Sequence, residues 1–454
     1  MKPLIMSMSG MRGIVGENLH PQIALNMAMA FGAFVKSGAV IVGGDTRVSH
    51  AMLKNAVISG LISVGIDVID IGFVPTPTVQ HLIRHHHAAG GIVITASHNP
   101  IMWNGIKLMN RTGSFLDTQE YADYSAIYQN VSAIPLVSWD KLGKVSENPN
   151  ALEIHVDEVL KQLDISAIQK AGLKVLVDPV NATGCMANPI LFNRLNVKYE
   201  MINDEPTGVF AHNPEPVRAN LTQMMEKMKQ GGFDIGFVQD ADADRLVIFD
   251  ETGEFIGEDN SLAFGLDYIL STLPNNEDKK VVVNLSTSLV IEGIAKKYNA
   301  QVFYTKVGES NVTQGIKFHQ AQVGGEGNGG VIYPKVGWGR DSLVGMTIAL
   351  KYLAESKKNV SEIVASYPKY YLLREKIEVS NRDEVNGLLQ KAEQVFQGLP
   401  VNKEDGLKFS KPNGWIHIRP SNTESIVRIF IEMPTKIEAD ALFDQLKIFS
   451  TSNA

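Results

Sequence analysis

The chain has 454 residues, of which 44% are hydrophobic and 20% are charged, and its formal net charge is -7. This length exceeds one ordinary core and predicts about three or four domains. The negative net charge disfavours nucleic acid as a partner. The single Cys185 excludes an intrachain disulfide, and the N-terminal residues lack the continuous apolar stretch of a signal peptide. No apolar stretch reaches the ~20 residues of a membrane span, so we expect no membrane association and a cytoplasmic protein.

Three blocks of the chain repeat one pattern of short apolar runs, which is typical of strands buried on both faces of a sheet. The first strands are expected at Ala39–Asp45, Lys174–Asp178 and Lys280–Asn284. The second strands are expected at Asp67–Ile71, Val197–Met201 and Gln301–Tyr304. The third strands, each followed by a distinctive loop, are expected at Gly91–Ser97, Asp234–Asp240 and Ala321–Glu326. The repetition predicts three related α/β domains whose strand ends meet at a common cleft.

The last part of the chain departs from this pattern. From about Tyr370, strand-like runs such as Trp415–Ile418 and Ile426–Phe430 mix with helical stretches, which indicates a smaller α+β domain. The predicted fold class is therefore α/β, with three related mixed α/β domains and a smaller C-terminal α+β domain around a central cleft. We place the domains at residues 1–148, 149–253, 254–365 and 366–454.

The segment Asp240-Ala-Asp242-Ala-Asp244-Arg245 places three carboxylates at alternate positions just after a predicted strand. In an extended segment alternate side chains point the same way, so the carboxylates would converge and repel one another. A hard divalent cation such as Mg2+ accepts oxygen ligands and would relieve that repulsion. An acidic surface turn is the alternative interpretation.

The loop Thr95-Ala-Ser97-His98-Asn99-Pro100 follows the third strand of the first block. A serine hydroxyl there could act as a nucleophile, provided that a base, a metal or prior modification activates it. His98, Lys107 and Arg12 offer groups for proton transfer and for anion stabilisation. An ordinary turn is the alternative.

The loop Gly324-Gly-Glu326-Gly-Asn328-Gly-Gly330 supplies one carboxylate and one amide among five glycines, which let the backbone approach a ligand closely. A carboxylate accepts two hydroxyl donors and an amide both donates and accepts, so the loop suits a polyhydroxylated substrate. A flexible hairpin tip is the alternative.

The turn from Arg419 to Arg428 combines two guanidinium groups, hydroxyls and an amide. Its central residues are Ser421, Asn422 and Thr423. Arginine's planar fork matches phosphate oxygens, so the turn is predicted to bind phosphate, although Arg428 could instead be a structural ion-pair partner.

The run His85-His86-His87, together with His81, invites a metal interpretation. Consecutive residues at a helix end face different directions, so we expect an ordinary helix terminus instead.

In this order, the four loops resemble those of the alpha-D-phosphohexomutase superfamily, and the resemblance covers the whole chain. It implies four domains around a central cleft, a phosphoserine and one Mg2+ per chain. Under this resemblance the first three domains carry the phosphoserine, metal-binding and sugar-recognition loops, and the fourth carries the phosphate-binding loop.

The resemblance also assigns roles to individual residues. Ser97 would be the phosphoserine, and its phosphate would bind Mg2+ together with Asp240, Asp242 and Asp244. Lys107 would be the general acid/base, and Arg12, His98 and Arg245 would surround the transferring phosphoryl group. The implied substrate-binding residues are Lys306, Gly308, Glu326, Asn328, Arg419, Ser421, Asn422, Thr423 and Arg428.

The form of the sugar loop, with Tyr333-Pro and Gly339-Arg-Asp341 after it, is most similar to the phosphoglucosamine mutase branch. The resemblance therefore implies an isomerase that interconverts glucosamine 6-phosphate and glucosamine 1-phosphate, with a hexose 1,6-bisphosphate as intermediate and activator. A phosphomannomutase or phosphoglucomutase with the same mechanism is the alternative. A metal-dependent sugar phosphatase and a sugar-phosphate binding protein are more remote alternatives. We expect a small hexose or hexosamine phosphate as the partner molecule and a monomer or homodimer.

Overall fold

The computed structural model describes residues 4–421 and 426–447. Its strands form four sheets, of seven, four, four and five strands, arranged in chain order. Within the described ranges, no helix is both long enough and apolar enough to cross a membrane.

The first sheet belongs to the N-terminal domain. Its strands are β1 (Ile5–Ser7), β2 (Gly10–Ile14), β3 (Ala39–Gly44), β4 (Asp67–Phe73), β5 (Gly90–Ile94), β6 (Trp103–Asn110) and β7 (Val145–Glu147). The accompanying helices are α1 (Pro21–Val35), α2 (His50–Ser63), α3 (Thr76–His85) and α4 (Thr118–Gln129). The strand order is β1-β2-β6-β5-β3-β4-β7.

The second and third sheets each have four strands. The second domain contains α5 (Ala151–Lys161), α6 (Ser166–Ala171), β8 (Lys174–Asp178), α7 (Gly184–Arg194), β9 (Lys198–Met201), α8 (Thr222–Lys229), β10 (Ile235–Gln239) and β11 (Leu246–Phe249). The third contains α9 (Glu258–Thr272), β12 (Lys280–Asn284), α10 (Val290–Lys297), β13 (Gln301–Thr305), α11 (Glu309–His319), β14 (Val323–Glu326), β15 (Gly330–Ile332), α12 (Ser342–Ser356) and α13 (Val360–Val364).

The fourth sheet is antiparallel throughout its described strands, in the order β16-β20-β19-β18-β17. The C-terminal domain contains β16 (Tyr371–Glu378), α14 (Arg382–Val395), β17 (Val401–Asn402), β18 (Leu407–Lys411), β19 (Gly414–Pro420), β20 (Ile426–Met433) and α15 (Lys436–Lys447). Both helices pack on this sheet and bury its apolar face, so the predicted smaller α+β domain is confirmed.

The first three sheets share one core arrangement. In each, the first strand of the block lies between the second and third, all three run parallel, and an antiparallel strand follows the third: β4-β3-β5-β6, β9-β8-β10-β11 and β13-β12-β14-β15. The predicted repetition of three related α/β domains is thus confirmed. Because the parallel strands are apolar on both faces, helices cover both sides of each sheet.

The largest hydrophobic core joins the second and third domains. It runs from α5 and β8 through α9 and β12 to α12 and α13 without interruption. A core shared by two domains holds their strand ends in a fixed relation, and this relation positions the loops described next.

Candidate active site

A cleft of about 340 Å3 lies where the four domains meet. The N-terminal domain contributes Arg12, His98 and Lys107 to its lining. The second and third domains contribute Arg245, Gly308, Glu326, Asn328 and Arg340. The C-terminal domain contributes Arg374, Arg419, Ser421 and Arg428. The loops that the sequence singled out therefore converge, as predicted.

Ser97 lies three residues after the end of β5 and next to His98, which lines this cleft, and Ser97 itself is 1% exposed. Its backbone has a φ of 52°, in the left-handed region that residues other than glycine rarely adopt. The Ser97 hydroxyl donates a hydrogen bond to Asp240 Oδ2 at 2.6 Å, and it lies 3.3 Å from His98 Nδ1. The backbone geometry thus aims the serine oxygen at the carboxylates of the second domain.

The segment from Asp240 to Asp244 is a turn, so the expected extended conformation is wrong. The Ala243 amide donates to the Asp240 carbonyl, and Ala243 has a φ of 50°. The carboxylates nevertheless converge, because the turn brings oxygens of Asp240, Asp242 and Asp244 within 4.8 Å of one another. All three side chains are fully buried, so the alternative of an acidic surface turn is also wrong.

The pKa values of Asp240 and Asp242 are shifted in opposite directions. Burial, and then the charges of Asp244 and Asp242, raise the pKa of Asp240 well above its usual value. Burial opposes ionisation of Asp242 as well, but the ammonium of Lys107, 2.6 Å from Asp242 Oδ2, holds the pKa of Asp242 below its usual value. Lys107 is itself buried, yet Asp242 and Asp244 raise its pKa, so its protonated form is favoured.

The turn has the donor set that a divalent cation needs. Oδ1 of Asp242 and Oδ1 of Asp244 are buried oxygens that have no hydrogen-bond partner among the described residues, while the other oxygen of each accepts hydrogen bonds from protein groups. Buried carboxylate oxygens are normally satisfied, so two unpartnered ones beside Asp240 indicate a place for a cation. Mg2+ prefers such oxygen ligands, so the residues fit this metal.

Cationic and neutral donors surround the Ser97 hydroxyl on the cleft side. Arg12 Nη1 donates to Asn99 Oδ1 at 2.8 Å, and Arg245 Nε lies 3.9 Å from carboxylate oxygens of both Asp240 and Asp244. Burial, followed by the charges of nearby arginines, lowers the pKa of His98 well below its usual value, so its neutral imidazole is favoured. A phosphoryl group on Ser97 would therefore meet concentrated positive charge and hydrogen-bond donors.

In the sugar loop, both carboxylate oxygens of Glu326 accept hydrogen bonds. Oε1 accepts from Asn284 Nδ2 and from the Gly308 amide, each at 2.9 Å, and Oε2 accepts from Arg340 Nη1 at 2.7 Å. Asn328 lines the cleft, and its buried Oδ1 has no hydrogen-bond partner within the part of the chain that the structure describes. The loop therefore combines a fixed carboxylate with an amide oxygen that is open to a ligand.

The C-terminal domain closes the other side of the cleft. Arg419 is 5% exposed, and its Nε donates to Asp405 at 3.1 Å. Ser421 and Arg428 line the cleft beside it, whereas Asn422 and Thr423 lie outside the described residues. Lys306, which was predicted to bind substrate, is exposed and lies outside the cleft lining of the described residues; its neighbours Val307 and Gly308 do line it.

Comparison with known proteins agrees with this arrangement. Models of the four phosphoglucomutase/phosphomannomutase domains match residues 4–134, 153–253, 258–371 and 375–448. The chain belongs to the alpha-D-phosphohexomutase superfamily. Members of this family are mutases, so the phosphohexomutase is an isomerase-class enzyme, and the family depends on Mg2+.

Individual relatives span nearly the full length of this phosphohexomutase. The chain is 37% identical over 438 residues to a phosphoglucomutase/phosphomannomutase of Thermococcus kodakarensis, covering 95% of this chain and 94% of the relative. It is 32% identical to a phosphoglucosamine/phosphogalactosamine mutase of Sulfurisphaera tokodaii, covering 96% and 97%. A crystal structure of a family protein from Burkholderia thailandensis superposes with a TM-score of 0.85 at 24% identity, covering 99% and 98%.

Two residues of the phosphohexomutase cleft, Arg340 and Glu309, were not predicted from the sequence to belong to the site. Arg340 donates to Asp244 at 2.6 Å, to Glu309 at 2.9 Å and to Glu326 at 2.7 Å, so one buried guanidinium joins the metal loop to the sugar loop. Burial and the Arg340 charge act in opposite directions on Glu309, and burial prevails, raising its pKa to about 7. The motif Gly339-Arg-Asp341 was visible in the sequence, but only the fold brings its arginine to three carboxylates.

A second buried cluster of the phosphohexomutase involves His81. Asp341 Oδ2 lies 2.8 Å from His155 Nε2 and 3.5 Å from His81 Nε2. The other ring nitrogens contact Arg84 and Thr78, each at 2.8 Å. Since α3, α5 and the start of α12 each supply a residue, the cluster ties three domains together.

Cys185 lies in the first turn of α7, and burial raises the pKa of its thiol to about 12. A thiol that resists ionisation is a poor nucleophile.

Proposed function

We propose that this phosphohexomutase interconverts glucosamine 6-phosphate and glucosamine 1-phosphate through a phosphorylated Ser97. The observation that carries the Ser97 assignment is the buried contact between its hydroxyl and Asp240, beside a cleft lined with arginines. The glucosamine assignment is supported by relatives named as phosphoglucosamine mutases and by carboxylates of the cleft lining, which suit an ammonium group on the sugar.

In the first step, the bond between phosphorus and Ser97 Oγ breaks while a sugar hydroxyl oxygen bonds to phosphorus and releases its proton. The product is a hexosamine 1,6-bisphosphate, which turns around within the cleft. In the second step, the phosphate at the other end returns to Ser97 Oγ, and the sugar oxygen takes up a proton. Lys107 is the proposed general acid and base: its ammonium, beside the metal loop, donates the proton in the second step, and the neutral amine that remains accepts the proton in the next first step.

The other side chains stabilise charge and hold the sugar. Mg2+, held by Asp240, Asp242, Asp244 and the Ser97 phosphate, would offset the charge of the transferring phosphoryl group. Arg12, His98 and Arg245 are positioned to bind its remaining oxygens. Since the substrate carries phosphate at alternate ends, Arg419, Ser421 and Arg428 are proposed to hold the phosphate that is not reacting. We also propose that the four domains span residues 1–148, 149–253, 254–365 and 366–454. The proposed location is the cytoplasm, and the proposed oligomeric state is a monomer or a homodimer.

One observation favours a second candidate, a phosphomannomutase or phosphoglucomutase. Arg340 is paired with Glu326 at 2.7 Å, so this carboxylate is already neutralised and would serve neutral hydroxyls better than an ammonium. The relative from Thermococcus kodakarensis bears that activity in its name. Both candidates use the same loops and the same phosphoserine.

Phosphorus NMR distinguishes these candidates. Purified protein receives Mg2+, a trace of hexose 1,6-bisphosphate, and glucosamine, mannose or glucose 1-phosphate in separate samples. Glucosamine 6-phosphate formed at the highest kcat/KM supports the proposal, whereas faster conversion of mannose or glucose phosphate supports the second candidate. Free phosphate as the main product would indicate a sugar phosphatase. Ser97→Ala serves as the control and is expected to fold but not turn over; normal turnover would contradict the phosphoserine assignment.

A further inference from the structure

Arg47 is a buried arginine that lies outside the lining of the cleft, among the described residues, and just beyond β3. Its guanidinium uses all five of its N–H donors. Nε donates to Asp45 Oδ2 at 3.0 Å. The other four donors bind the backbone carbonyls of Ser97 (2.7 Å), Asn99 (2.7 Å), Pro100 (2.8 Å) and Trp103 (2.9 Å). The Arg47 side chain thus donates hydrogen bonds to four backbone carbonyls in and next to the loop that contains Ser97.

Those four carbonyls point inward because the loop curls around the guanidinium. Carbonyl oxygens that converge in a buried place repel one another unless a donor group satisfies them, and Arg47 supplies that group. The curl coincides with the left-handed backbone of Ser97, whose φ is 52°. A planar fork with five donors can hold this shape, whereas the ammonium of lysine offers three donors from a single point.

Asp45 is connected to the backbone amide of Ser97 through the hydroxyl of Thr95. Its carboxylate accepts from the Arg47 amide at 3.1 Å and from the Thr95 hydroxyl at 2.5 Å. The Thr95 hydroxyl oxygen in turn accepts from the Ser97 amide at 2.8 Å. The ring of Phe210, from the second domain, covers the guanidinium at 4.8 Å. The Ser97 peptide is therefore held through its amide and its carbonyl by one connected group of side chains.

We propose that Arg47 is a positioning residue for phosphoryl transfer: it fixes the loop so that Ser97 Oγ points at the metal turn, without touching the substrate. This inference rests on the proposed role of Ser97. Under this proposal, Arg47 affects phosphoryl transfer but not substrate binding, because the groups that bind the sugar and its distal phosphate belong to other domains. Disturbing Arg47 should slow transfer to and from Ser97 while leaving substrate binding largely intact.

The test compares Arg47→Lys and Arg47→Met with the wild type. Arg194→Met is the matched control, because Arg194 is an exposed arginine of α7 paired with Asp157. Intact-mass spectrometry follows phosphate uptake by Ser97 from hexose 1,6-bisphosphate, and steady-state assays give kcat and KM. For Arg47→Lys we expect uptake and kcat to fall about 100-fold, the effect of misplacing a reacting atom by about 1 Å. The KM should stay within about twofold of the wild type, because uniform binding is unchanged.

The outcomes distinguish this inference from the proposed function. Wild-type protein that takes up no phosphate on Ser97 overturns the proposed function. Wild-type uptake together with equally fast uptake by folded Arg47→Lys, or a loss confined to KM, overturns the role of Arg47 alone. If Arg47→Met fails to fold, Arg47→Lys carries the test. Failure of both variants to fold would show that Arg47 serves domain folding rather than loop positioning, and would also overturn the inference.

Discussion

At the scale of single residues, Lys107 and Asp242 form a buried ion pair of 2.6 Å beside a turn that is rich in carboxylates. In Lys107→Met, Asp242 loses its ion-pair partner, and Asp244 loses one of its neighbouring positive charges. Without a divalent cation, we expect the free energy of unfolding to fall by about 3–5 kcal/mol, as for other broken buried pairs. Mg2+ should restore more stability to the variant than to the wild type, because the cation replaces the missing charge. Thermal unfolding with EDTA and with Mg2+ measures both effects.

Lys161→Met is the control for that experiment, because the side chain of Lys161 is 70% exposed and its pair with Glu158 is long, at 3.9 Å. It should behave like the wild type under both conditions. Equal stabilisation of Lys107→Met and the wild type by Mg2+ would contradict the prediction.

His50 makes the stability of the N-terminal domain depend on pH. Burial, followed by the charge of Lys54, lowers the pKa of His50 from 6.5 to about 4. Between these values the unfolded chain binds the proton and the folded protein does not, so stability falls as the pH drops through 6.5 towards 4. The loss amounts to at most about 3 kcal/mol. In His50→Gln, urea unfolding should show a smaller loss of stability over this window.

The exposed His85 supplies the matched control for that pH series. His85→Gln should keep the pH dependence of the wild type. An unchanged slope in His50→Gln would show that other groups account for the acid sensitivity.

Residue types alone were sufficient to predict part of the site. Ser97 and the three aspartates belong to short sequence motifs, and each motif by itself indicates a chemical role. The fold brings these residues together. Arg340 could not be predicted in this way, since 96 residues separate it from Asp244. Arg47 was missed for a similar reason, because its partners are backbone carbonyls, which no side-chain motif reveals.

At the scale of elements, the start of α12 depends on Asp341. Its Oδ1 accepts from the amides of Leu343 and Val344, and its Oδ2 binds the buried histidine cluster. Asp341→Ala should lose the cap and leave buried donors without partners, for a cost of about 3 kcal/mol in unfolding free energy. Chemical denaturation measures this cost.

The matched control is Asn381→Ala, because Asn381 caps α14 with the same two-amide geometry at an exposed position. Its loss should cost about 1 kcal/mol, the value of a cap alone. Equal costs in the two variants would mean that the histidine cluster adds nothing to stability.

The strands were predictable because their β-branched, apolar runs give a signal that does not depend on the rest of the fold. Two of the first strands, β8 and β12, have the predicted limits, and the others differ at their ends by a few residues. The metal loop was predicted wrongly as extended. Its turn requires a positive φ at Ala243, and alanine gives no local signal for that conformation. Hydrogen bonds from the hydroxyls of Ser342 and Thr183 to the backbone carbonyls of the turn support it.

At the scale of the whole molecule, the cleft differs in charge from the rest of the protein. The chain has a net charge of -7, yet among the described residues the cleft lining holds seven lysine and arginine side chains against four glutamates. Raising the ionic strength from about 0.01 to about 0.1 M shortens the Debye length from about 30 to about 10 Å. We therefore expect the KM for a sugar phosphate to rise several-fold while kcat changes little. Steady-state kinetics over this range tests it, and a constant KM would contradict it.

No single domain contains the whole site, since each of the four supplies residues to the cleft. A ribosome makes the segment containing Ser97 early and the segment containing Arg419 near the end, and domains generally fold in the order of their synthesis. The growing chain therefore contains its proposed nucleophile long before it contains all of its proposed substrate site. A translation product that stops before Arg419 contains the residues of the three α/β domains but lacks that proposed substrate contact, so we expect premature termination to abolish turnover while most of the folded elements remain.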